Sequence, residues 1–449
     1  MSRDAVNRYH ELLTAEVAEE THAHLVRQLT NHGLVFGGRP LCTVLRPRLL
    51  TLAEYESLQR RIVALMRAFD VAYRRAMADR AFRSQFGLAP WEELLLDDDP
   101  RHSRPSPTSR LDFFWDPATG SLGLTEYNAE TPAGAAYGDA LSDAFLDARA
   151  LRELTRTHDV FALPTRQGVV GALLDSWREF GRRGSVPTVA ILDWDGVPTV
   201  TEFELYRRHL QSLGIPCVID DPRRCEYRAG KLYADGRPVD LIYKRVLISE
   251  LVETCGLDCH VISAVRDGAV LMVDGFRCKI LHKKASLAVL SDEANADMFA
   301  PAERAAIDDS IPWTRTVRER KTVYRGGAVD LLPFITQHRE RFVIKPNDEY
   351  GGKGIVLGWT VDATAWESAI HEALRSPHIV QEKVVVPSEP YPSWVDSEVR
   401  TFDRMYDTAP FVTNGAYMEG ILTRLSTVDL LNVTAGGGST VPAFIVEQR

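Results

Sequence analysis

The spacing of apolar residues predicts helices over the first hundred residues of the chain. Residues 5–30 carry apolar positions at helical intervals, and this pattern ends at Gly33. A second predicted helix opens at Thr51, where Thr51 and Glu54 form a capping box, and it runs to about Arg80. One face of that helix carries four large apolar residues, which are Leu58, Ile62, Leu65 and Phe69.

From residue 110 the pattern changes to strands. LDFFWD and SLGLTEYN are two short strand-forming runs, and the turn sequence at 116–120 between them predicts a hairpin. Alternating strands and helices follow, which predict a Rossmann-like unit with a parallel sheet. The elements predicted after the hairpin are helices at 138–156 and 166–181, a strand at 188–193, a helix at 202–213, and strands at 216–220 and 240–246.

A last α/β block begins near residue 271. It contains the predicted strands RFVIKP and HIVQEKVVV, with a helix at 362–375 between them. The proline-rich run at 386–394 predicts an ordered loop. We therefore expect an α/β (α+β) fold in four regions, which are a helical N-terminal region at 1–100, a hairpin-bearing segment at 101–184, an α/β domain at 185–270 and a final block at 271–449.

The composition is typical of a globular protein of two to four packed units, since 45% of the 449 residues are apolar and 26% are charged. The net charge is −9 and no long basic run occurs, which argues against a nucleic-acid partner. The opening residues lack the apolar core of a signal peptide, and no apolar run reaches membrane-spanning length. We therefore expect a cytoplasmic protein with no membrane partner; the oligomeric state is not readable from the sequence.

The six cysteines do not suggest a disulfide framework in a chain of this size. Cys255, Cys259 and His260 are close enough in sequence to suggest a zinc site, with Cys278 as the nearest fourth ligand. The other interpretation is ordinary thiols in a reducing compartment, which is the one we favour.

The segment FVIKPNDEYGGKGIVLGW has the features of a phosphate-binding loop. A strand carries Lys345, and a turn with Gly351, Gly352 and Gly354 leads into the next strand. Glycines let backbone amides approach phosphate oxygens, and a lysine supplies a point charge. The other interpretation is a plain hairpin with a surface lysine.

The strand IVQEKVVV is interrupted by Gln381, Glu382 and Lys383. This pattern fits a hinge whose backbone reads adenine while a carboxylate accepts from its exocyclic amine. By itself, the pattern favours an edge strand with solvated charges.

Polar residues also alternate along the predicted hairpin. Alternation places Arg110 and Asp112 on one face of the first strand, and Glu126 and Asn128 on one face of the second. Carboxylate and amide oxygens suit Mg²⁺ that bridges phosphates, and the arginine could stabilise a transferred phosphoryl group. A cross-strand ion pair on a solvated hairpin is the alternative.

The C-terminal run LLNVTAGGGSTVPAF combines Asn432 with glycines at 436–438. An amide side chain beside an amide-rich loop could hold an acyl phosphate. A glycine-rich turn near a chain end is the alternative.

Together these segments resemble the ATP-grasp ligases, and their order resembles the circularly permuted branch, which includes the synthetase domain of glutathionylspermidine synthase. The most specific match is SRLDFF with LTEYNAETPAG, which is similar to that family's Arg-x-Asp and Glu-x-Asn-x-Asp-Thr-Pro stretch. Glu130 stands here in place of the family's Asp. In the usual ATP-grasp order the magnesium set comes last, whereas here it comes first.

The resemblance implies further roles. HKKASLAVLSDE is similar to the helix that bears the first ATP lysine, here Lys284, and DLIYKRV is similar to a strand that would turn Arg245 toward substrate. Arg424 joins Arg110 and Asn432 as a catalytic candidate, and Arg400 joins Arg245 as a substrate candidate.

The resemblance also implies a function. The implied function is that of a ligase, which would use ATP and Mg²⁺ to join small-molecule carboxylate and amine substrates through an acyl phosphate. It further implies a pre-ATP-grasp domain at 185–270 and nucleotide-binding subdomains at 271–449. A phosphotransferase, or a non-catalytic ATP-binding protein, on the same fold is the alternative.

Overall fold

The computed structural model describes residues 2–36, 38–99, 104–181, 184–427 and 438–449. The α-helices in these residues are α1 (Ser2–Leu12), α2 (Ala15–Asn31), α3 (Leu52–Ala78), α4 (Arg80–Arg83), α5 (Pro90–Asp97), α6 (Ala135–Leu146), α7 (Arg149–Leu154), α8 (Arg166–Glu179), α9 (Val200–Ser212), α10 (Ile248–Cys255), α11 (His260–Arg266), α12 (Cys278–His282), α13 (Ala285–Ser291), α14 (Pro301–Ser310), α15 (Leu331–Gln337) and α16 (Ala363–Ala373). Short 3₁₀ helices cover Ser84–Phe86, Pro222–Arg224, Glu293–Met298 and Arg339–Arg341.

The strands in the same residues are β1 (Val35–Phe36), β2 (Arg39–Pro40), β3 (Arg48–Leu50), β4 (Thr108–Trp115), β5 (Leu122–Asn128), β6 (His158–Ala162), β7 (Val189–Leu192), β8 (Cys217–Asp220), β9 (Glu226–Arg228), β10 (Lys231–Ala234), β11 (Arg237–Val239), β12 (Leu241–Lys244), β13 (Leu271–Val273), β14 (Thr314–Thr316), β15 (Lys321–Tyr324), β16 (Gly327–Asp330), β17 (Phe342–Pro346), β18 (Val356–Leu357), β19 (His378–Glu382), β20 (Ser388–Val395), β21 (Glu398–Tyr406), β22 (Ala409–Thr413), β23 (Tyr417–Ser426) and β24 (Ser439–Gln448). None of the described helices is both long and apolar enough to cross a membrane.

The N-terminal region is mostly helical, as predicted, but its first helix is divided. Thr14 separates α1 from α2, and its hydroxyl accepts from the Val17 backbone N–H at 3.4 Å as an N-cap. The capping box of Thr51 and Glu54 is confirmed at the start of α3. The region also contains β1 to β3, which the apolar spacing did not reveal.

A large mixed sheet joins strands from both ends of the chain. Its main path runs β20-β21-β23-β22-β4-β5, and β24 extends it from β23 to β3 and β6. The pairing of β24 with β3 is parallel, and its pairing with β6 is antiparallel. As a result, the hairpin near residue 110 lies hydrogen-bonded beside strands of the last sixty residues.

The hairpin β4–β5 forms as predicted. Arg110 pairs with Asn128 and Asp112 with Glu126 across the strands, and the register shifts directly after Asp112. Asp116 holds the turn, since its backbone and side chain bond residues 118–121. The two strands therefore present Arg110, Asp112, Glu126 and Asn128 side by side.

The predicted strands at 188–193, 216–220 and 240–246 are present as β7, β8 and β12. With β13 they form a four-stranded sheet in the order β13-β12-β7-β8, and every pair is parallel. Every residue of β7 and β12 is buried among apolar side chains, which is typical of parallel sheets. Their carboxyl ends place Asp193 and Arg245 at one edge.

An antiparallel sheet in the order β14-β19-β17-β18 makes up the core of the last block. The strand predicted at 378–386 ends at Glu382, and it lies between β14 and β17, so it is not an edge strand. The proline-rich run predicted as a loop is instead strand β20, which pairs with β21 over its whole length.

One further prediction was wrong in detail. The helix predicted at 138–156 is two helices, α6 and α7, and the strand β6 that follows was not predicted. The reason is that β6 is held by pairing with β24, almost three hundred residues away in sequence.

Candidate active site

Two adjoining clefts lie where the sheets meet, and we call them the first and second cleft. The first cleft has a volume of about 170 Å³ and lies between the hairpin β4–β5 and the sheet that contains β17 and β19. Its walls are apolar at one end and charged at the other. The apolar residues of its lining are Phe114, Val343, Ile355, Leu357, Trp359, Val384 and Val386, and the charged ones are Asp112, Glu126, Lys284, Lys345, Glu382, Lys383, Asp407 and Arg424.

Lys345 lines the first cleft. It stands on β17, and its ammonium donates to the Thr125 carbonyl at 2.9 Å and to Gln381 Oε1 at 2.8 Å. Burial lowers the pKa of Lys345 to about 8, although the Glu126 carboxylate acts in the opposite direction. The alternative of a surface lysine is wrong, since only 7% of this residue is exposed.

Lys284 supplies a second cation to the same cleft. Its ammonium lies 2.8 Å from Glu126 Oε1 and donates to the Glu349 carbonyl at 2.5 Å. Burial by itself would raise the pKa of Glu126, but the Lys284 charge outweighs it, so the pKa of Glu126 is lowered. The two buried lysines and the two hairpin carboxylates, predicted from segments far apart in sequence, therefore meet in one place.

The predicted glycine turn lies between β17 and β18. Gly351, Gly352 and Gly354 have φ values of +65°, +78° and +72°, which residues other than glycine rarely adopt. A Cβ at Gly354 would also come within 2.7 Å of Pro346. Gly351 and Gly352 line the first cleft.

Asp112 is held between two arginines. Its carboxylate accepts from Arg110 at 2.8 and 3.0 Å and from Arg424 Nη2 at 2.7 Å. Burial would raise the pKa of Asp112, but Arg110 and Arg424 hold it well below its usual range. Asp407 shares Arg424, with its Oδ2 at 2.5 Å from Nε, and it also lines the first cleft. The sequence did not reveal Asp407, because no motif surrounds it. Only the strand pairing places it at the first cleft.

The adenine-reading role predicted for 381–383 needs correction in part. Gln381 turns toward Lys345 and not toward the far end of the cleft. Glu382 Oε1 already accepts from Tyr324 at 2.6 Å and from Arg325 at 2.8 Å, and the Lys383 backbone N–H donates to the Arg341 carbonyl. The Lys383 ammonium instead lies 4.2 Å over the Trp359 ring, at the apolar end.

The second cleft has a volume of about 540 Å³ and opens beside the first, sharing Glu126, Gly351 and Arg424 with it. Arg110 and Asn128 line it from the hairpin, and Arg245 lines it from the parallel sheet. The remaining polar residues of its lining are Thr131, Tyr137, Asp193, Trp194, Thr199, Glu250, His282, Tyr350 and Thr440. Among the described residues, no partner is found for the buried Nδ2 of Asn128.

A buried charge network below the glycine turn was not predicted. Asp348 accepts from Lys279 at 2.7 Å and from Lys283 at 2.7 Å, and Lys279 lies 3.1 Å from Glu130 Oε2. Within the described part of the chain, Glu130, His282 and Asp348 form the one group of acidic, cysteine or histidine side chains with metal-ligand spacing. The Lys279 ammonium already contacts two of the three, so we interpret this group as an ion-pair network that fixes the base of the turn.

Arg400 and the group of Cys255, Cys259 and His260 do not join this site among the described residues, and the predicted C-terminal loop is largely outside the described range. Arg400 lies on the β20–β21 hairpin, is exposed, pairs with Asp396 at 3.0 Å, and is not among the described residues that line either cleft. Its substrate role is therefore withdrawn, because strand β21 turns it toward solvent. Asn432 and the glycines at 436 and 437 lie outside the described residues. Among the described residues Cys255, Cys259 and His260 form no metal group, and His260 Nδ1 accepts from the Tyr227 backbone N–H.

The fold and the two clefts define an α/β protein with two adjoining clefts. No family model matches the chain. It is 24% identical to "Putative glutamate--cysteine ligase 2-3" from Frankia alni over 97% of this chain and 51% of that protein. The chain therefore spans about half the length of the curated relative that it matches.

The fold is shared with a solved protein, the glutathione synthetase-like effector GSS30 from Globodera pallida in its apo form. The TM-score is 0.61 at 13% identity, over 95% of this chain and 96% of that chain. D-alanyl-alanine synthetase A from Vibrio cholerae reaches a TM-score of 0.27 at 10% identity, over 52% of this chain and 86% of that one, which is too low to compare folds.

Proposed function

We propose that this chain is an ATP-dependent ligase that activates a carboxylate as an acyl phosphate and joins it to an amine. One observation carries the proposal, namely that the two clefts meet at Glu126, Gly351 and Arg424. A phosphoryl group held at the charged end of the first cleft would face a substrate in the second. Positioning and charge stabilisation are what such a transfer needs from a protein.

The residues of the first cleft fit ATP. Its apolar end suits a base, and the buried ammonium groups of Lys284 and Lys345 with the amides of Gly351 and Gly352 suit phosphates. ATP would supply the transferred phosphoryl group. The two lysines would orient it, and Arg110 with Arg424 would offset the negative charge at the transferring group.

The oxygen set also fits Mg²⁺. Asp112 and Glu126 face each other across paired strands, Asn128 follows, and Asp407 adds a carboxylate beside Arg424. In the arrangement seen here both oxygens of Asp112 contact guanidinium groups. A metal bound at Asp112 would therefore require one of the two arginines to turn toward the phosphates.

We further propose the circularly permuted ATP-grasp arrangement, with a Rossmann-like pre-ATP-grasp domain. Its support is the order along the chain, since the carboxylates at 112 and 126 precede the lysines at 284 and 345. The boundaries proposed are 1–100 for the N-terminal region, 101–184 for the permuted segment, 185–270 for the pre-ATP-grasp domain and 271–449 for the nucleotide-binding subdomains. Arg245 and Asn432 keep their proposed roles at the substrate and the acyl phosphate.

The test is ADP and phosphate release by the purified chain with ATP and Mg²⁺. Because the curated relative is named a glutamate–cysteine ligase, L-glutamate and L-cysteine are the first pair, followed by other amino acids, glutathione and polyamines. Hydroxylamine replaces the amine in a parallel series, because it traps an acyl phosphate as a hydroxamate, which forms a coloured complex with added iron(III). Release that needs both a carboxylate and an amine supports the ligase. Phosphate transfer to a hydroxyl acceptor without an amine would support the phosphotransferase instead, and no ATP turnover with any pair would refute catalysis.

A further inference from the structure

Two carboxylates lie at the edge of the parallel sheet that faces the second cleft. Asp193 directly follows the central strand β7, and Glu250 stands on α10, which follows β12. Both residues line the second cleft. In parallel sheets the carboxyl ends of strands are the edge at which ligands bind.

Hydrogen bonds tie Glu250 to the glycine turn, and Asp193 accepts from the Trp194 backbone N–H at 2.8 Å. Glu250 accepts from Trp194 Nε1 at 3.0 Å and from the Tyr350 hydroxyl at 3.2 Å. Tyr350 immediately precedes Gly351, and Gly351 lines both clefts. The two carboxylates therefore lie beside the junction of the clefts, where the proposed acyl phosphate would form.

A buried donor in the same cleft also points to a ligand. Arg245 is 6% exposed and lines the second cleft, and its Nε has no hydrogen-bond partner among the described residues. Its other nitrogens are engaged, since Nη1 donates to the Pro132 carbonyl at 2.8 Å and Nη2 lies 3.6 Å from Glu202. A buried donor without an acceptor is unfavourable unless a ligand supplies one. An acceptor on a bound molecule would satisfy Arg245, and a basic amine on it would pair with the two carboxylates.

The protonation state of Asp193 suits proton transfer. Burial raises the pKa of Asp193 to about 6, and the neighbouring Glu250 carboxylate acts in the same direction. The Trp194 amide, Arg245 and Lys244 lower it in part, and Tyr350 faces it from the glycine turn. A carboxylate with this pKa is ionised at neutral pH, yet it is a stronger base than an ordinary aspartate.

We propose that the second cleft binds the amine substrate and that Asp193 is the proton acceptor that converts its ammonium to the attacking free amine. This inference rests on the proposed ligase function. The ammonium gives one proton to the Asp193 carboxylate, and the nitrogen lone pair forms the C–N bond at the acyl carbon. The bond from that carbon to the phosphate oxygen then breaks, and the departing phosphate takes the second proton of the nitrogen. Asp193 returns its proton to solvent.

Asp193→Asn shows whether Asp193 acts as a base or only supports the structure, provided that its effects on two nucleophiles are compared. Cysteine is largely an ammonium ion at neutral pH and needs a base, whereas hydroxylamine is largely unprotonated and needs none. With glutamate as the carboxylate, we expect Asp193→Asn to slow amide formation with cysteine by ~10²–10⁴-fold and to leave hydroxamate formation close to that of the wild type. Asp193→Glu should restore part of the lost rate, because it restores a carboxylate.

Asp195→Asn is the matched control. Asp195 is exposed, pairs with Arg224, and is not among the described residues that line either cleft. It should leave both rates unchanged. Equal slowing of both nucleophiles by Asp193→Asn, or slowing of neither, would overturn the assignment while the ligase function stands. If the wild type forms no product with any carboxylate and either nucleophile, the ligase function itself fails, and this inference fails with it.

Discussion

Removal of the Lys345 ammonium tests the role of this cation in the first cleft. Lys345→Met keeps the length of the side chain and removes only its charge and hydrogen bonds. A lost charge-assisted contact to a phosphate corresponds to about 1.5–3 kcal/mol, so we expect ATP affinity to fall by roughly 10- to 150-fold at pH 7. The measurement is calorimetric titration of ATP with Mg²⁺ in the absence of other substrates.

The pH dependence of binding makes this prediction specific to Lys345. With a pKa of about 8 in the free protein, the group is mostly protonated at pH 7 and mostly neutral at pH 9. Phosphates favour the protonated form, so binding raises its pKa and takes up a proton as the pH rises through 8. The affinity of the wild type should therefore fall about tenfold between pH 7 and pH 9 relative to that of Lys345→Met.

The control is Lys353→Met, because Lys353 is an exposed lysine of the same turn that pairs with Glu349. It should bind ATP nearly as the wild type does, with the same pH dependence. Since Gln381 and Thr125 lose their donor in Lys345→Met, thermal melting must show that the variant is folded. Unchanged affinity in a folded Lys345→Met, or an identical pH slope in both proteins, would refute the phosphate-binding role.

Three further predictions concern the rest of the site. Asp112→Ala should abolish ADP formation and also lower the free energy of unfolding by about 3–5 kcal/mol, because it leaves the buried Arg110 without its carboxylate and Arg424 with Asp407 alone. Glu126→Ala should abolish ADP formation with a smaller drop in melting temperature, as its side chain is 23% exposed. Gly354→Ala should raise the KM for ATP, since the φ of Gly354 is +72° and a Cβ would lie 2.7 Å from a proline carbon. Gly120→Ala is the control and should leave this KM unchanged, because Gly120 has a similar φ of +74° but open space around it. Asp348→Asn should both lower the melting temperature and raise the KM for ATP, because the base of the glycine turn loses the carboxylate that joins two buried lysines. A KM equal to that of the wild type in the folded variant would show that the network does not position the turn.

The sequence alone determined the features that depend on neighbouring residues. The capping box at Thr51, the turn at 116–120 and the alternation along β4 and β5 are each set by residues a few positions apart. The same is true of the glycine turn after Lys345, where three positive φ values favour glycine. For this reason the kinds of residues in the first cleft could be predicted, together with the strands that carry them.

The tertiary structure alone decided which of these segments meet. Asp112 is held by Arg424, 312 positions away, and Gln381 turns to Lys345 because β19 pairs with β17. Asp407 joins the same cleft only through the strand order of the large sheet, and β6 exists only where β24 pairs with it. Local patterns fix the period and the ends of an element, whereas long-range pairing depends on the strand order and on which faces are buried together. That is why the sequence predicted the chemistry of the hairpin, but only the folded chain placed Glu126 against Lys284 on one side and opened the second cleft on the other.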